Sequence, residues 1–230
     1  MKLAVIQPYF FPYLGYWQLI SHANVLALFD DVNYINKGYI DRNYIVNKQE
    51  ALQLKLQVRK ASQNKRINQL LTGDNKPVLA ETVRHVYSQA PFFKESYPII
   101  SDLILYQQEN LALYLENMIR AVCRFLQIST KIVKSSDFPM AYSGKEKIIP
   151  LLVETGADTY INPLGGRHLY QPQDFHEAGK SLEFFVPDLS LGGVMSERLD
   201  SHASIIHHMM QLRPDLLGEL IERGSTERPY

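Results

Sequence analysis

The sequence predicts an α/β fold with a Rossmann-like, mainly parallel sheet, a helical insertion and a helical C-terminal tail. Two short apolar runs, residues 3–7 and 24–32, flank a segment at residues 14–23 that is compatible with a helix. This order is typical of buried parallel strands joined by a crossover helix. A second strand–helix–strand order at residues 130–162 favours one α/β sheet over two independent domains.

Between these two units the apolar spacing changes twice. In residues 52–58 apolar and polar residues alternate, which predicts a half-exposed strand, paired antiparallel with residues 44–47. From about residue 77 to residue 127 the apolar residues recur at helical spacing, so we expect a helical insertion there. A strand is also predicted at residues 181–187.

The end of the chain is predicted to be helical over about residues 199–223, with Pro214 starting the last short helix. No internal repeat or low-complexity linker interrupts the sequence, so residues 1–223 are predicted to be a single domain. The last residues, 224–230, are expected to be a flexible tail.

Composition disfavours nucleic-acid and membrane partners. The 230 residues contain 24 Lys plus Arg and 24 Asp plus Glu, so no net charge attracts the molecule to nucleic acid. Apolar runs stay shorter than the roughly 18 residues of a membrane span, and Gln7 and Pro8 interrupt the first run where a signal peptide would continue. A single cysteine, Cys123, fits a reducing compartment. We therefore expect a cytoplasmic protein.

No cofactor or metal is expected. The chain lacks the GxGxxG and GxxxxGK[ST] fingerprints of dinucleotide and P-loop sites, and it lacks the CxxC and HExxH patterns that bind zinc. Cys123 lies among apolar residues, which favours a buried structural thiol over a nucleophile.

Every predicted strand end is polar. Gln7 follows the first strand, Asp30 and Asp31 follow the second, Ser135 and Ser136 follow a third, and residues 162–167 follow a fourth. Open α/β sheets bind ligands beyond the carboxyl ends of their strands, so a ligand site is predicted there, with Asp30 or Asp31 binding sugar hydroxyls or acting as a base. The alternative is that these strands end in ordinary turn residues.

The loop at residues 8–17 is unusually aromatic and lies ahead of a predicted helix N-terminus, where free N–H groups suit anions. Tyr9, Tyr13 and Tyr16 can stack on a base or a sugar ring and donate hydroxyl hydrogen bonds. The alternative is a hydrophobic plug over the sheet edge.

Two polar loops supply candidate phosphate ligands. Lys37, Arg42 and Asn43 follow the second strand, and Ser62 and Asn64 lie in a second polar loop. Arg binds phosphate in bidentate fashion and Lys binds it as a point charge. Solvated loops are the alternative interpretation.

Five stretches of the sequence, in this order, resemble the WbqC-like family of bacterial proteins. They are QPYFFPYLGYWQLI, DDVNYINKGYIDRN, APFF, KIVKSSD and GADTYINPLGG. The resemblance implies an association with surface polysaccharide and lipopolysaccharide O-antigen, and transfer of an amino-acyl or acyl group to an amino sugar. Residues 13–16 also resemble the HxGH segment of nucleotidylyltransferases, with Gly15 retained and tyrosine at both histidine positions.

Taken together, these patterns predict a group transferase that binds a nucleotide sugar or another phosphorylated small molecule. A non-catalytic nucleotide-sugar- or carbohydrate-binding protein is the alternative, and a homodimer is left open. The predicted catalytic residues are Asp30 and Asp31. The predicted substrate-binding residues are Gln7, Tyr9, Tyr13, Gly15, Tyr16, Lys37, Arg42, Asn43, Ser62, Asn64, Ser135, Ser136, Asn162, Gly165, Gly166 and Arg167.

Overall fold

A computed structural model describes residues 1–191 and 200–229. In chain order its strands are β1 (Lys2–Ile6), β2 (Val25–Leu28), β3 (Arg42–Asn47), β4 (Glu50–Lys55), β5 (Val58–Arg59), β6 (Leu71–Thr72), β7 (Lys131–Lys134), β8 (Thr159–Pro163), β9 (Ser181–Val186) and β10 (Ser225–Glu227). The α-helices are α1 (Leu14–Ser21), α2 (Lys76–Tyr87), α3 (Phe93–Leu105), α4 (Leu111–Phe125), α5 (Ile148–Glu154), α6 (Pro172–Glu177), α7 (Ile205–Gln211) and α8 (Pro214–Ile221).

The central sheet is mainly parallel. Its strand order is β10-β9-β8-β1-β2-β7, and every neighbouring pair is parallel except β9 and β10. The predicted α/β class and the mainly parallel sheet are therefore confirmed.

Strands β1 and β2 are apolar throughout because both faces of the sheet are covered. Ala4 and Leu26 pack into a large core on one face, together with residues of α1, α4 and α7. Leu3 and Val25 pack into a smaller core on the other face, against α5 and α6. Side chains alternate between the faces of a strand, so a near-continuous apolar run supplies both cores.

The predicted antiparallel pair is the hairpin of β3 and β4, in which Ile45 faces Leu52. The strand predicted at residues 52–58 is divided in the structure, because β4 ends at Lys55 and Val58 begins β5, which pairs with β6. Leu54 and Leu56 are buried and Leu52 and Val58 are half-buried, so the alternating apolar residues do have one covered face.

Helices α2, α3 and α4 occupy the stretch predicted to be a helical insertion. Along α4 the apolar stripe is buried in the larger core. Cys123 lies on this helix, and burial raises the pKa of its thiol to about 12, as expected for a structural cysteine.

The end of the chain differs from the prediction. Residues 224–230 were expected to be a flexible tail, but Ser225–Glu227 add an antiparallel strand beside β9. The edge strand β9 presents unpaired backbone groups that this segment satisfies, a tertiary effect that the polar sequence does not reveal. Helix α8 begins at Pro214 as predicted, while residue 199 lies outside the described residues.

Across residues 1–191 and 200–229, no helix combines the length and the apolarity that crossing a membrane requires.

Helix α7 buries two adjacent histidines, His207 and His208. Tyr87 Oη lies 2.8 Å from His207 Nδ1, and the other ring nitrogen of His207 lies 3.3 Å from Asp200 Oδ1. His208 is fully buried, and its Nδ1 lies 3.4 Å from the backbone oxygen of Ser204. Burial lowers the pKa of both imidazoles to about 4, so both are neutral at pH 7.

These histidines should make folding stability acid-sensitive. Their folded-state pKa values lie below the unfolded value of about 6.5, so the unfolded chain binds protons first as the pH falls. We expect the free energy of unfolding to fall between about pH 6.5 and pH 4, with each histidine contributing up to about 1.4 kcal/mol per pH unit. In His208→Leu, unfolding should take up about one proton fewer, so the unfolding free energy should change less steeply with pH, as measured by urea unfolding at several pH values. An unchanged slope in His208→Leu, equal to that of a control replacing the exposed His85 with Asn, would contradict this assignment.

Candidate functional site

Four predicted strand ends meet at one edge of the sheet. Strands β8, β1, β2 and β7 are consecutive parallel neighbours, so their carboxyl ends lie side by side. The backbone N–H of Phe29 donates to the Ile6 oxygen at 2.8 Å, which continues the pairing to the point where Gln7 and Asp30 begin. We call this set of strand ends the carboxyl edge: Gln7, Asp30, Asp31, Ser135, Ser136 and Asn162.

Asp30 and Asp31 are held by the two serines that follow β7. The hydroxyl of Ser136 donates to Asp30 Oδ2 at 2.7 Å, and its backbone N–H donates to Asp30 Oδ1 at 3.1 Å. The Ser135 hydroxyl lies 3.1 Å from Asp30 Oδ1 and also contacts Asp31 Oδ1. A hydroxyl carries one proton, so the two carboxylates compete for the Ser135 donor.

Lys147 completes this cluster. Its Nζ donates to Asp31 Oδ2 at 2.6 Å and to the Ser135 backbone oxygen at 2.6 Å. The Lys147 side chain is only 3% exposed, whereas that of Asp31 is 16% exposed. Burying an ammonium group is costly unless it is paired, and Asp31 supplies the compensating charge.

Sequence reasoning missed Lys147. It lies within the strand–helix–strand unit predicted at residues 130–162, at the end of a 3-10 turn, Gly144–Lys147, that precedes α5. A lysine directly before the apolar run Ile148–Ile149 was the available signal. Spacing alone does not distinguish it from the exposed Lys145 nearby.

The cluster divides its two carboxylates by exposure. Asp30 is 2% exposed and has three serine donors within hydrogen-bond distance, of which the Ser135 hydroxyl is shared with Asp31. Asp30 is therefore the buried carboxylate that holds the two serines in place. Asp31 is half-buried, and its carboxylate is paired with the buried Lys147 ammonium. This arrangement offers a ligand one positioned carboxylate, which can accept a proton or bind sugar hydroxyls.

The aromatic loop has a buried side and a half-buried side. Tyr16 is buried and donates its hydroxyl to the Gln7 backbone oxygen at 3.0 Å, which places it under the carboxyl edge as support. Tyr9 and Tyr13 are half-buried, and burial raises the pKa of both phenols. Phe10 and Phe11 are fully buried in the larger core. The loop therefore combines two phenylalanines that fill the core with two tyrosines that reach the surface.

Two side chains fix the backbone of this loop. Asn43 Nδ2 donates to the Phe11 oxygen at 2.8 Å, and the Ser204 hydroxyl donates to the same oxygen at 2.7 Å. Phe11 has a φ of 42°, a left-handed conformation that a bulky residue adopts only when its surroundings hold it. Asn43 is buried, so its contacts in this structure are with the loop backbone.

Gly15 lies in the first turn of α1, where space is restricted. A Cβ atom at this position would lie 2.7 Å from the Tyr13 ring and 3.0 Å from Pro187. The glycine thus allows Tyr13 to lie flat over the start of the helix, and we assign it a packing role in this structure.

Arg42 lines a separate polar cavity of about 310 Å³, together with Tyr34, Asn36 and Lys55. The Arg42 guanidinium binds Asp41 through two bonds of 2.8 and 3.1 Å, and this carboxylate raises the pKa of Arg42. Burial and the nearby Asp41 charge raise the pKa of the Tyr34 phenol to about 12. None of the carboxyl-edge residues lines this cavity. The two are close along the chain, since Tyr34 lies three residues after Asp31.

The remaining predicted residues lie around the edge. Lys37 and Asn64 are exposed, and the Ser62 hydroxyl accepts the Asn64 N–H at 3.2 Å. Six residues after Ser62, the chain reaches the carboxyl edge, where the Asn68 N–H donates to the Asp30 backbone oxygen at 2.9 Å.

The turn after β8 is anchored by Asn162, which is buried. Its Oδ1 accepts the Tyr160 hydroxyl at 3.0 Å, and its Nδ2 donates to the Pro163 oxygen at 2.9 Å. A Cβ on Gly166 would lie 2.5 Å from Asn162 Nδ2, whereas Gly165 faces open space.

Arg167 points to the edge strand beyond this turn. It pairs with Glu227 at 2.9 Å and lies 5.3 Å from the Phe184 ring centroid. Arg167 therefore has a partner within the protein in this structure.

Among residues 1–191 and 200–229, no group of three or more His, Cys, Asp or Glu side chains is placed to hold a metal ion.

The fold and the carboxyl edge define an α/β protein with a carboxylate–serine–lysine cluster at the ends of its parallel strands. A family model described as the WbqC-like protein family matches residues 7–216, and the chain belongs to this family. The uncharacterized protein Rv1507c of Mycobacterium tuberculosis is 26% identical over 188 residues, which are 80% of this chain and 81% of that protein. No solved structure matches the chain.

The Asp31–Lys147 pair should couple strongly to folding. In Lys147→Met the Asp31 carboxylate loses its cation, so we expect a loss of about 2–3 kcal/mol of unfolding free energy, below the roughly 3–5 kcal/mol of a fully buried pair. The double variant Asp31→Asn with Lys147→Met should recover part of this loss, as measured in a urea-unfolding double-mutant cycle.

Lys134→Met provides the matched control. Lys134 lies at the end of β7 and pairs with Glu116 at 3.5 Å in a more exposed setting, where ion pairs contribute about 0–1 kcal/mol. Equal losses in the two single lysine variants, or no recovery in the double variant, would show that Lys147 is not the compensating charge.

Proposed function

We propose that the carboxyl edge binds a nucleotide-activated sugar and that the protein transfers an amino-acyl, acyl or related group to it. The observation that carries this proposal is the cluster of Asp30, Asp31, Ser135 and Lys147, which places one half-buried carboxylate at the ends of adjacent parallel strands. Membership of the WbqC-like family is compatible with this chemistry and does not specify it.

A Rossmann-like assignment is part of the proposal, and the strand order supports it. If the six strands of the central sheet are numbered along the chain, their spatial order becomes 6-5-4-1-2-3, the order of doubly wound nucleotide-binding folds read from the opposite edge. Strands β2 and β7 lie on one side of β1, and the later strands β8, β9 and β10 lie on its other side, so the direction in which strands are added reverses between β1 and β8. The crevice at such a reversal is where ligands bind, and here it lies between Gln7 and Asn162.

The proposed ligand contacts follow from this position. Tyr9 and Tyr13 are half-buried in the loop that follows Gln7, and we propose that they contact the base or the sugar. Lys37 is exposed and Arg42 lines a polar cavity, and we propose that these two cations meet phosphate. Gly165 and Gly166 lie in the turn that would close the crevice. The remaining predicted residues, Gly15, Tyr16, Asn43, Ser62, Asn64, Ser136 and Arg167, are proposed to support these contacts.

The proposed step is acyl transfer to a sugar amine. The amine nitrogen attacks the carbonyl carbon of an acyl thioester, a C–N bond forms, and the C–S bond breaks with release of a thiolate. Asp31 accepts the proton that the amine loses, and solvent protonates the thiolate. Lys147 holds the Asp31 carboxylate in one position, so the base is oriented before the substrate binds.

A non-catalytic sugar-nucleotide-binding protein is the second candidate. Asp30 and Ser135 are buried and already satisfy each other, which is typical of a structural network. The tyrosines at both histidine positions of the HxGH-like segment also lack the charge that stabilises a phosphoryl transition state.

We further propose that the protein works in the cytoplasm, in surface polysaccharide biosynthesis of the O-antigen type, as a single domain. Small phosphorylated molecules rather than nucleic acid are its proposed partners, since the chain carries no net charge. Homodimer formation remains part of this proposal.

Turnover tests the proposal. We expect the protein incubated with UDP-glucosamine and acyl-CoA thioesters to form an N-acylated sugar nucleotide and free CoA, detected by mass spectrometry. Asp31→Asn should slow this reaction by about 10²- to 10⁴-fold, the usual contribution of a general base, while UDP-glucosamine still stabilises the protein in a thermal-shift assay.

The matched control is Glu154→Gln, which removes an exposed carboxylate on α5 and should leave the rate unchanged. Binding of UDP-glucosamine with no turnover for any acyl donor would favour the non-catalytic alternative. Absence of binding by every sugar nucleotide would contradict both candidates.

A further inference from the structure

A small aromatic pocket lies on the hairpin side of the tyrosine loop, away from the carboxyl edge. It has a volume of about 260 Å³ and is lined by Tyr39, Tyr44, Ile45, Val46, Ala51 and His202. We call this cavity the hairpin pocket. We propose that the hairpin pocket binds one neutral sugar ring, by stacking its C–H face on tyrosine.

The two tyrosines of the lining are both exposed. Tyr39 is 52% exposed and Tyr44 is 38% exposed, and both line the same cavity. Aromatic rings that stay in contact with water in a shared concave surface are typical of sites that stack on a ligand ring.

Charge selects the ligand class. The described lining of the hairpin pocket contains no Asp, Glu, Lys or Arg, so none of these described side chains compensates the charge of a phosphate. A nucleotide is therefore disfavoured, although its base could stack. A sugar ring combines apolar C–H faces with hydroxyl groups and needs no counter-charge.

Hydrogen-bonding groups at the rim fit this ligand. The Tyr44 hydroxyl accepts a bond from Gln53 Nε2 at 2.9 Å, so its own proton points elsewhere and can be donated to a sugar hydroxyl. His202 Nδ1 contacts the Ser201 hydroxyl at 3.0 Å, which leaves Nε2 as the ring nitrogen that would meet a ligand.

Volume limits the ligand to about one ring. The 260 Å³ of the hairpin pocket is below the roughly 300–1,000 Å³ of sites for drug-sized molecules. A whole sugar nucleotide would not fit, whereas a single pyranose would.

The hairpin pocket is continuous with the tyrosine loop. The ring centroids of Tyr9 and Tyr39 lie 5.9 Å apart, and those of Tyr13 and His202 lie 6.2 Å apart with nearly parallel rings. The Phe10 N–H also donates to the Tyr39 oxygen at 2.9 Å. Assigning the bound ring as a substrate sugar rests on the proposed function, whereas sugar binding itself does not.

Chemical-shift mapping of the full ¹⁵N-labelled chain tests the proposal. Methyl β-D-glucopyranoside and N-acetylglucosamine are titrated separately, with UMP as the charged planar probe. We expect at least one of the two sugars to shift amides of residues 39, 44–46, 51 and 202–203. UMP should leave these amides unshifted, and any shift of residues 7, 30–31 and 135–136 by UMP reports on the carboxyl edge.

Variants separate stacking from general packing. Tyr39→Ala should weaken sugar binding about fivefold to tenfold, and Tyr39→Phe should weaken it much less, because the stacking face is kept. Tyr106→Ala, which removes a tyrosine that is 40% exposed elsewhere, should leave the sugar affinity unchanged. If Tyr39→Ala fails to fold, the shift map of the unaltered chain decides alone.

The outcomes distinguish this proposal from the proposed function. No shift of the hairpin-pocket amides with either sugar, or shifts there with UMP instead, would overturn the sugar site and leave the carboxyl edge unaffected. Sugar shifts in the hairpin pocket support it, even if no sugar nucleotide binds at the carboxyl edge.

Discussion

The ion pair between Lys147 and Asp31 is the constraint on which the carboxyl edge depends. Lys147 is almost fully buried, and its ammonium is held both by the Asp31 carboxylate and by the Ser135 backbone oxygen. This one side chain therefore joins the end of β2, the end of β7 and the turn before α5. Without the cation, two carboxylates that share a serine hydroxyl would repel each other.

The aromatic loop shows how the fold keeps a surface site rigid. Phe10 and Phe11 fill the core, Asn43 and Ser204 bind the loop backbone, and Tyr16 supports Gln7 from beneath. Tyr9 and Tyr13 then have little freedom to lose when a ligand binds, which favours affinity through preorganisation. The same loop lies between the carboxyl edge and the hairpin pocket, so its tyrosines would contact the ligands of both proposed sites.

Sequence patterns predicted the sheet well because a strand that is buried on both faces is a nearly continuous apolar run in the sequence. The apolar runs at residues 3–7 and 24–32 became β1 and β2, and the alternation in residues 52–58 predicted the hairpin strand β4, which ends at Lys55. The polar strand ends did converge on one edge, since parallel neighbours bring their carboxyl ends together. Strand β10 was missed because its short polar sequence pairs only through the backbone.

Site residues were harder to predict because side-chain type does not reveal orientation. Tyr16 and Asn43 are predicted ligand contacts, and the sequence does not reveal that both are buried, with Tyr16 bonded to the Gln7 backbone oxygen and Asn43 to the Phe11 backbone oxygen. Lys147 has the same side chain as the exposed Lys145 two residues earlier, yet it is the buried cation of the cluster.

A crystal structure of the protein grown with UDP-glucosamine tests directly whether the carboxyl edge is the ligand site. We expect ligand density across the carboxyl ends of β1, β2 and β8, with the Asp31 carboxylate within about 2.6–3.2 Å of a ligand donor. Density confined to another cavity, such as the one lined by Arg59 and Lys76, with no contact to Asp31, would contradict it.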